Sequence, residues 1–438
     1  MVTANDADAV IKVGAHAPSR GVIARGLGRS YNDAAQNSGG VVLDVTPNRG
    51  LLDLDEAAGM VTIGPGVSIG ELIEAYLPCG LFPPVSPGTR HVTVGGAIAA
   101  DVHGKNHHRD GSFGRFVQSM RLWTPNGGVM EASPTANAEL FWATVGGMGL
   151  TGVIIDATIK MQAVETGSMV VDSDRAADID QAMALMTDED GDYPYSVAWI
   201  DCQTSGRRLG RSVLTRGRHA TLDELPSQHQ IQALRPHARP TLPAPPWVPN
   251  GLINRLTVRA FNEVWFRSSP RRRRDHLQPH GSFFYPLDRI DGWNRLYGSR
   301  GFLQYQFVVP FGQEDMVRGV VELLSSWGAA SFLAVLKRFG PGSAGHLSFP
   351  MPGWTLALDL PVARDGLGRL LDEIDDRVVA AGGRCYLAKD GRMRPEMVGH
   401  MYPRLDEWRA VRNRADPDGV LRSDLDRRLN LTGRGLSA

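Results

Sequence analysis

Short runs of β-branched and apolar residues, separated by Gly and Pro, recur through the first 165 positions of the chain. Val41–Val45, Met60–Ile63, Val92–Val94 and Gly152–Ile159 are typical of strands bounded by turns. Between them, the apolar residues of Ile69–Tyr76 have the spacing of one helix face, which predicts a helix. The mixture of the two periods predicts an α+β fold.

Longer helical patterns appear after residue 165. Ala177–Met186 and Glu314–Ser326 predict helices, while Phe302–Val309 and Trp354–Leu360 predict strands. From residue 384 the chain has a strand-like start, RCYLAKD, and then becomes charged and helical. These changes divide the chain near residues 165 and 384.

Two segments in the middle of the chain predict no regular structure. The proline-rich stretch Arg239–Gly251 predicts an extended connector. Ser268–Gly281 predicts a mobile loop that carries the arginine run Arg271–Arg274. Such a run is most often a solvated charge cluster, and the alternative is peripheral contact with an anionic membrane surface.

Composition and charge narrow the class of protein. Of the 438 residues, 42% are hydrophobic and 21% charged, as in ordinary globular proteins of two to three domains. Because 47 basic residues balance 47 acidic ones, we expect no nucleic-acid partner. Cys79, Cys202 and Cys385 are too few and too far apart for a disulfide framework or a zinc site. No apolar run approaches the ~18 residues of a membrane span, and we expect no Sec-type signal peptide at the start.

Glycine is concentrated early in the chain, with 24 of the 50 residues lying within positions 1–160. Many fall in three segments, Ala24–Gln36, Pro87–Gly114 and Glu139–Ile154. Because glycine has no Cβ, backbone N–H groups in such segments can approach a phosphate closely. Each segment alone is also compatible with a tight turn or a packed junction, and the first is neither a Rossmann nor a P-loop sequence. Three such segments in order favour one extended ligand.

In this order the three segments resemble the FAD-binding domain of vanillyl-alcohol-oxidase-type (PCMH-type) flavoproteins. The sequences GLGRSYNDAAQNSGG, PGTRHVTVGGAIAADVHGKNHH, GFLQYQF, FGPGSAGHLSFPMPGW and YLAKDGR are similar, more closely, to the decaprenylphosphoryl-β-D-ribose oxidase family. The resemblance implies a two-domain α+β fold. It places an FAD-binding domain at 1–165, a substrate domain with an antiparallel sheet and helices at 166–383, and a segment that returns to the FAD domain at 384–438.

Members of that family are FAD subunits of an actinobacterial epimerase, and the resemblance implies their reaction. The chain would oxidise the ribose C2 hydroxyl of decaprenylphosphoryl-β-D-ribose to the 2-keto sugar, the first step towards the arabinose donor for cell-wall arabinan. A keto-sugar reductase would complete the epimerisation, and a quinone is the favoured electron acceptor. Two alternatives stay open: an oxygen-dependent alditol or sugar oxidase of the same superfamily, and an inactive flavin-binding scaffold subunit. The resemblance implies the cell envelope or periplasm, with the cytoplasmic face as the alternative because no signal peptide is visible.

The resemblance also implies how FAD is bound. Many members of the superfamily attach it to a histidine in the first glycine-rich turn, but here that turn reads Gly28-Arg29-Ser30, so we expect non-covalent FAD. The spacing of His103, His107 and His108 lacks a suitable set of carboxylates, and we expect no metal. The cofactor contacts implied by the family motifs are Ala24, Arg25, Gly26, Leu27, Gly28, Arg29, Ser30, Tyr31, Asn32, Asp33, Ala34, Gly88, Thr93, Val94, Gly95, Gly96, His103, Gly104, Lys105, Asn106, Ile154 and Tyr386.

Oxidation of an alcohol needs a hydride acceptor, here the flavin, and a proton acceptor within hydrogen-bond reach of the hydroxyl. The residues alone favour a surface lysine at position 389, paired with Asp390, whereas the resemblance assigns the second role to Lys389. Gln304 and Gln306 are two positions apart and therefore share one strand face. The predicted catalytic residues are Lys389, His103 (as a hydrogen-bonding group) and Gln306; the predicted substrate contacts are Lys105, Trp199, Gln304, Gln306, Lys337 (for the phosphate), Phe339, Ala357 and Lys389.

Several positions depart from the pattern of the family, among them Asn32, where a glycine is usual. Ala357 occupies a position where mycobacterial members carry a cysteine, so covalent inhibitors directed at that thiol should fail here. Turnover should survive, because a flavin oxidation does not use the thiol. Thr355 replaces an asparagine and Phe284 replaces a tyrosine, which puts two polar contacts in doubt.

Overall fold

The computed structural model describes residues 1–236, 242–245, 248, 251–329, 331–362 and 365–435. Its strands are β1 (Val2–Thr3), β2 (Val22–Arg25), β3 (Val41–Asp44), β4 (Leu51–Asp55), β5 (Met60–Ile63), β6 (Leu81–Phe82), β7 (Val117–Thr124), β8 (Gly128–Ala132), β9 (Val153–Lys160), β10 (Gln162–Ala163), β11 (Ser168–Ala176), β12 (Tyr195–Ile200), β13 (Ser212–His219), β14 (Leu242–Pro243), β15 (Arg272–Pro279), β16 (Ile290–Asp291), β17 (Phe302–Pro310), β18 (Ala334–Phe339), β19 (Gly353–Pro361) and β20 (Arg384–Cys385).

The α-helices lie between these strands and after the last of them. They are α1 (Ala7–Ala15), α2 (Ile69–Tyr76), α3 (Val94–Ala99), α4 (His107–Asp110), α5 (Ala138–Thr144), α6 (Ile179–Glu189), α7 (Ser227–Gln230), α8 (Arg255–Ser268), α9 (His280–Phe284), α10 (Glu314–Trp327), α11 (Leu367–Ala380), α12 (Met397–Met401), α13 (Leu405–Ala415) and α14 (Asp424–Leu429).

The first 160 residues build two sheets. A parallel sheet has the strand order β1-β3-β2, and an antiparallel sheet has the order β4-β5-β9-β7-β8. Helix α2 begins at a capping box in which Ser68 and Glu71 satisfy each other's backbone N–H groups. Its residues Ile69, Leu72 and Ile73 are buried, which explains the helical spacing of apolar positions in this segment.

The middle of the chain builds one large antiparallel sheet, in the order β15-β11-β13-β12-β18-β19-β17-β20. Across β17 and β19, Gln304 lies opposite Asp359 and Gln306 opposite Ala357; across β18 and β19, Val335 lies opposite Ala357. Since opposed residues of a sheet share a face, these side chains form one wall. Helices α10 and α11 pack against the sheet at β19 and β17.

Residues after 384 contact the sheets formed at the start of the chain. Leu421 forms a parallel bridge with Val22, and the Trp408 indole N–H donates to the Ala143 carbonyl at 3.0 Å. Arg412, fully buried, pairs with Asp416 at 2.7 Å. Buried apolar residues from the N-terminal, middle and C-terminal parts share one large core, and a smaller cluster contains Val22 and Leu421.

The α+β class and most predicted elements are confirmed, and two are wrong. Val92–Val94 is not a strand: the Thr93 hydroxyl accepts from the Gly96 N–H at 3.3 Å and caps α3. Ser268–Gly281 is not wholly a loop, because β15 pairs with β11 at the sheet edge and Arg274 forms ion pairs there with Asp172 and Asp174. Of the predicted connector, residues 239–241, 246–247 and 249–250 lie outside the described residues.

Candidate active site

A cavity of about 780 Å³ lies between the glycine-rich segments and the large sheet. All three segments contribute to its lining, the first two with most of their glycines and the third with Gly149, Gly152 and Ile154. The opposite wall is the sheet face that carries Gln304 and Gln306. The topology therefore brings together segments more than 300 positions apart.

Two glycines show why one wall of the cavity needs bare backbone. Gly28 has φ +62°, a left-handed conformation that side chains disfavour, and an added Cβ would lie 2.5 Å from the Arg25 guanidinium. At Gly88 an added Cβ would meet no protein atom within 4 Å, so it would occupy open cavity. The cleared space at Gly88 is suited to a ligand that approaches the backbone closely.

The first glycine-rich segment is held in place by the C-terminal residues. Asn32 donates to the Asp390 carbonyl at 2.8 Å and also to that of Leu387. Asp33 forms an ion pair with Arg428 at 2.8 Å. These two predicted cofactor contacts therefore have protein partners and do not line the cavity.

Most residues predicted to contact the cofactor do line the cavity. Three further exceptions are Arg25 at the end of β2, Val94 buried in α3, and Asn106, whose Nδ2 donates to the Pro84 carbonyl at 2.9 Å. The lining members of the set are Ala24, Gly26, Leu27, Gly28, Arg29, Ser30, Tyr31, Ala34, Gly88, Thr93, Gly95, Gly96, His103, Gly104, Lys105, Ile154 and Tyr386.

His103 is a buried, neutral hydrogen-bonding group. The Gln306 Nε2 donates to His103 Nε2 and to Thr355 Oγ1, each at 3.0 Å. Burial, followed by the charges of Lys337 and Lys389, holds the pKa of His103 well below its usual value. Its Nδ1 has no hydrogen-bond partner among the described residues, so it is available to a ligand.

Three lysines converge on the cavity: Lys105, Lys337 and Lys389. Burial lowers the pKa of Lys105 to about 7; burial and then the charges of Lys389 and Lys105 lower that of Lys337 to about 7. Lys105 donates to the Phe283 carbonyl, and its Nζ lies 4.3 Å from the centre of the Phe283 ring. Ammonium groups brought together in a low-dielectric site favour an anionic ligand, which would offset their mutual repulsion.

Asp359 is a site residue that sequence reasoning missed. It is 1% exposed, lines the cavity and accepts from Gln304 Nε2 at 2.6 Å. Burial raises its pKa to about 7, against the opposing effects of the Gln304 hydrogen bond and the Lys389 charge. In return, Asp359 partly offsets the burial that lowers the pKa of Lys389 to about 8. The signal was its place in β19 opposite Gln304, which depends on strand register.

The remaining predicted substrate contacts divide into two groups. Trp199 and Ala357 line the cavity, and the Trp199 indole N–H donates to the Phe332 carbonyl at 3.1 Å. Phe339 does not line it: the ring is fully buried and packs against His103 at 4.8 Å between centroids. Its contact is with the histidine that borders the cavity, so any effect on a substrate is indirect.

The arrangement fits a bound dinucleotide with a polar substrate beside it. The glycine-rich wall leaves room along the backbone, and His103 Nδ1, Gln304 Oε1 and Gln306 Oε1 are buried atoms without a partner among the described residues.

The described part of the chain contains no group of three His, Cys, Asp or Glu side chains placed to hold a metal ion. Nor does any helix within it have the length and apolar character needed to cross a bilayer.

Comparisons with known proteins agree with this chemistry. Residues 1–133 match the family model described as "FAD binding domain", and residues 366–429 match that of "D-arabinono-1,4-lactone oxidase". The chain is 45% identical over 98% of its length to the decaprenylphosphoryl-β-D-ribose oxidase of Mycolicibacterium smegmatis, of which it covers 94%. It is 42% identical over 83% of its length to an uncharacterised protein of Streptomyces coelicolor, covered in full. Cytokinin dehydrogenase 3 of rice is 31% identical over 32% of the chain and 28% of its own length.

Proposed function

The chain belongs to the decaprenylphosphoryl-β-D-ribose oxidase family and is an FAD-dependent oxidoreductase, and from this premise we propose that it oxidises decaprenylphosphoryl-β-D-ribose at the ribose C2 hydroxyl. The product is the 2-keto sugar. The observation that supports this proposal most directly is the convergence of three half-buried lysines and two buried glutamines opposite the glycine-rich wall. The glutamine amides suit the hydroxyl groups of a sugar, and the lysines suit a phosphate. The glycine-rich wall suits a dinucleotide.

FAD is held without a covalent bond in this proposal, against the cavity-lining residues of the glycine-rich segments and Tyr386. When bound, it supplies the acceptor for the hydride that leaves the sugar carbon. Tyr386 donates through its hydroxyl to the Ala100 carbonyl at 2.8 Å and stacks on Phe349 with centroids 4.6 Å apart. These contacts fix the ring at the cavity wall.

Lys389 accepts the hydroxyl proton of the substrate in our mechanism. An ammonium cannot accept a proton, and burial lowers the pKa of Lys389 to about 8, so its neutral form becomes populated as the pH rises through this value. Asp359 keeps the pKa from falling further and balances the charge once the lysine is protonated. Both side chains line the same cavity as Gln304.

Gln306 and His103 orient the sugar rather than transfer protons. The Gln306 amide nitrogen is occupied by His103 and Thr355, which leaves its oxygen free to accept from a hydroxyl. His103 Nδ1 carries the proton in the tautomer that this hydrogen bond requires, because Nε2 is the acceptor. Thr355, at the position of the family asparagine, has a polar contact with Gln306.

The phosphate of the substrate lies between Lys105 and Lys337. Each lysine supplies a point charge, and a phosphate between them restores the charged form that burial disfavours. This contact distinguishes a phosphorylated sugar from a free alditol.

The keto sugar is an intermediate, so the proposal includes partners. A keto-sugar reductase completes the epimerisation towards the arabinose donor for cell-wall arabinan, and a quinone is the final electron acceptor. We place the reaction at the cell envelope, where a lipid-linked donor would be used. The support for these steps is the family of the chain and not the geometry of the cavity.

Anaerobic reduction of the purified holoprotein tests the function. Decaprenylphosphoryl-β-D-ribose should bleach the flavin absorbance, and free alditols should not. Bleaching by alditols alone, with hydrogen peroxide formed in air, would favour an oxygen-dependent sugar oxidase instead. A flavin that neither substrate class bleaches would favour an inactive scaffold subunit.

A further inference from the structure

Helix α8 has an apolar face that stays exposed in the described part of the chain. Its inner side contributes buried Val258 and Asn262, and the Asn262 amide donates to Asp201 at 2.7 Å. The outer side carries the residues that we call the α8 outer face: Leu256 (78% exposed), Ala260, Phe261 (45%), Val264 (67%) and Trp265 (45%). Large apolar side chains grouped at this exposure usually mark a binding surface.

The α8 outer face is continuous with the mouth of the active-site cavity. Phe261 and Trp265 line the cavity, and their rings stack with centroids 6.2 Å apart. Phe261 also contacts Phe332 at 5.9 Å, and Trp265 contacts Trp199 at 6.5 Å. An apolar path therefore leads from the site of chemistry to the exposed helix.

This face is bordered by positive charge in a chain that is neutral overall. Residues 255–274 contain seven arginines and one glutamate, whereas the whole chain has 47 basic and 47 acidic residues. Arg267 pairs with Glu263, and Arg274 with Asp172 and Asp174. The exposed arginines Arg271–Arg273 lie at the edge strand next to the helix, so the net local charge is strongly positive.

We propose that the α8 outer face and Arg271–Arg273 dock the protein onto an anionic lipid surface, with the cavity mouth towards the bilayer. The apolar side chains enter the headgroup region and the guanidinium groups contact lipid phosphates. Amphipathic helices that lie at a membrane interface bind in the same way. The inference rests on the proposed function in that such an orientation serves a substrate anchored in the same bilayer.

Vesicle flotation of the FAD-loaded full-length protein tests the docking. The protein should float with phosphatidylcholine vesicles that contain phosphatidylglycerol, and much less with phosphatidylcholine alone or in high salt. The double variant Leu256→Ser, Val264→Ser should lower partitioning about tenfold or more. The variant Arg271→Gln, Arg272→Gln should lower it on anionic vesicles only. A control variant, Leu51→Ser, Leu52→Ser, removes two exposed leucines (54% and 55%) from β4 in another sheet and should change nothing.

The outcomes separate docking from function. None of the substituted residues lines the cavity, so all variants should keep the flavin spectrum and bleach at wild-type rate with a water-soluble, short-prenyl phosphoribose. Normal bleaching with no flotation of the wild type, or equal flotation of wild type and the Leu256/Val264 variant, overturns the docking and leaves the function intact. Flotation without bleaching by any ribosyl lipid leaves the docking and overturns the function. A dimer in gel filtration that the same variant abolishes, without flotation, assigns the face to a second copy and overturns the proposal.

Discussion

Gln304 and Asp359 face each other across β17 and β19, and the Gln304 amide nitrogen donates to Asp359 Oδ1 at 2.6 Å. This pair places a buried carboxyl, with its pKa raised to about 7, in the same cavity as Lys389. The carboxyl and the amine influence each other's pKa in opposite directions, so their protonation is coupled. The pair therefore controls how much neutral lysine is present near physiological pH.

Replacement of Lys389 by methionine should lower the rate of anaerobic flavin reduction by about 100-fold or more, because no group then accepts the hydroxyl proton. Stopped-flow absorbance measures the rate, and the flavin spectrum before mixing reports cofactor retention. Lys12→Met, which removes an exposed lysine of α1, is the control and should leave the rate of flavin reduction unchanged. A Lys389→Met protein that bleaches at the wild-type rate would rule out the lysine as proton acceptor.

The flavin-reduction rate of the wild type should rise with pH through about 8, as Lys389 loses its proton. Asp359→Asn removes the negative charge that raises the lysine pKa, so the rise should move to lower pH. The pH profile of the variant measures this shift, which a purely structural role would not produce. An unchanged profile, or one moved to higher pH, contradicts the coupling.

Phosphate binding should be accompanied by proton uptake. In the protein without substrate, Lys105 and Lys337 have pKa values of about 7, so both side chains are largely neutral at pH 8. A phosphate bound between them raises both pKa values, because its negative charge stabilises the ammonium forms. Titration calorimetry in two buffers of different ionisation enthalpy measures the protons taken up. Lys337→Met should weaken binding of the phosphorylated sugar about tenfold or more and abolish part of the uptake. Equal weakening for an unphosphorylated ribose analogue would place the phosphate elsewhere.

A methyl group at Gly88 should weaken FAD binding without affecting the apoprotein. An added Cβ there meets no protein atom within 4 Å, so Gly88→Ala costs the folded chain little but intrudes on the ligand space. Equilibrium dialysis should show FAD affinity lower by about tenfold, while the thermal midpoint of the apoprotein stays the same. Gly191→Ala is the control, because its Cβ also meets nothing within 4 Å and the residue does not line the cavity. Equal FAD affinity of the Gly88 variant would show that the cofactor does not pass this backbone.

Local sequence patterns predicted most of the fold, and long-range register accounts for what they missed. Ile69–Tyr76 forms the predicted helix with the same bounds because its apolar spacing and capping residues act within one segment. The strand predicted at Val92–Val94 is wrong because the Thr93 hydroxyl caps a helix, which β propensity does not reveal. The arginine-rich segment was assigned to a loop because its strand is fixed by Asp172 and Asp174, about 100 positions away.

The candidate site shows the same division. Resemblance to a family supplied Lys389 and the glycine-rich segments, which now line one cavity. Asp359 was missed because its role depends on facing Gln304. The pairing of β17 with β19 cannot be predicted from the sequence of either strand alone. Phe339 was assigned to the substrate, although strand β18 directs its ring into the core beside His103. Burial and pairing decide these roles, and both are properties of the tertiary structure.

Thiol-directed compounds that bind in the cavity should not label this protein at the cavity wall. Ala357 lines the cavity and has no nucleophile, while Cys202 and Cys385 are buried, with thiol pKa values raised chiefly by that burial. Ala357→Cys should create a labelled site, since an added thiol would lie beside Gln306 on the exposed wall of the cavity.

Intact-protein mass spectrometry measures the adduct, and Cys79→Ser in both backgrounds removes the exposed thiol that would otherwise react non-specifically. Flavin reduction by the substrate should be retained in unlabelled Ala357→Cys and lost on labelling. Labelling of the Cys79→Ser protein without the new cysteine would mean that a buried thiol becomes accessible, against the packing around Cys202 and Cys385.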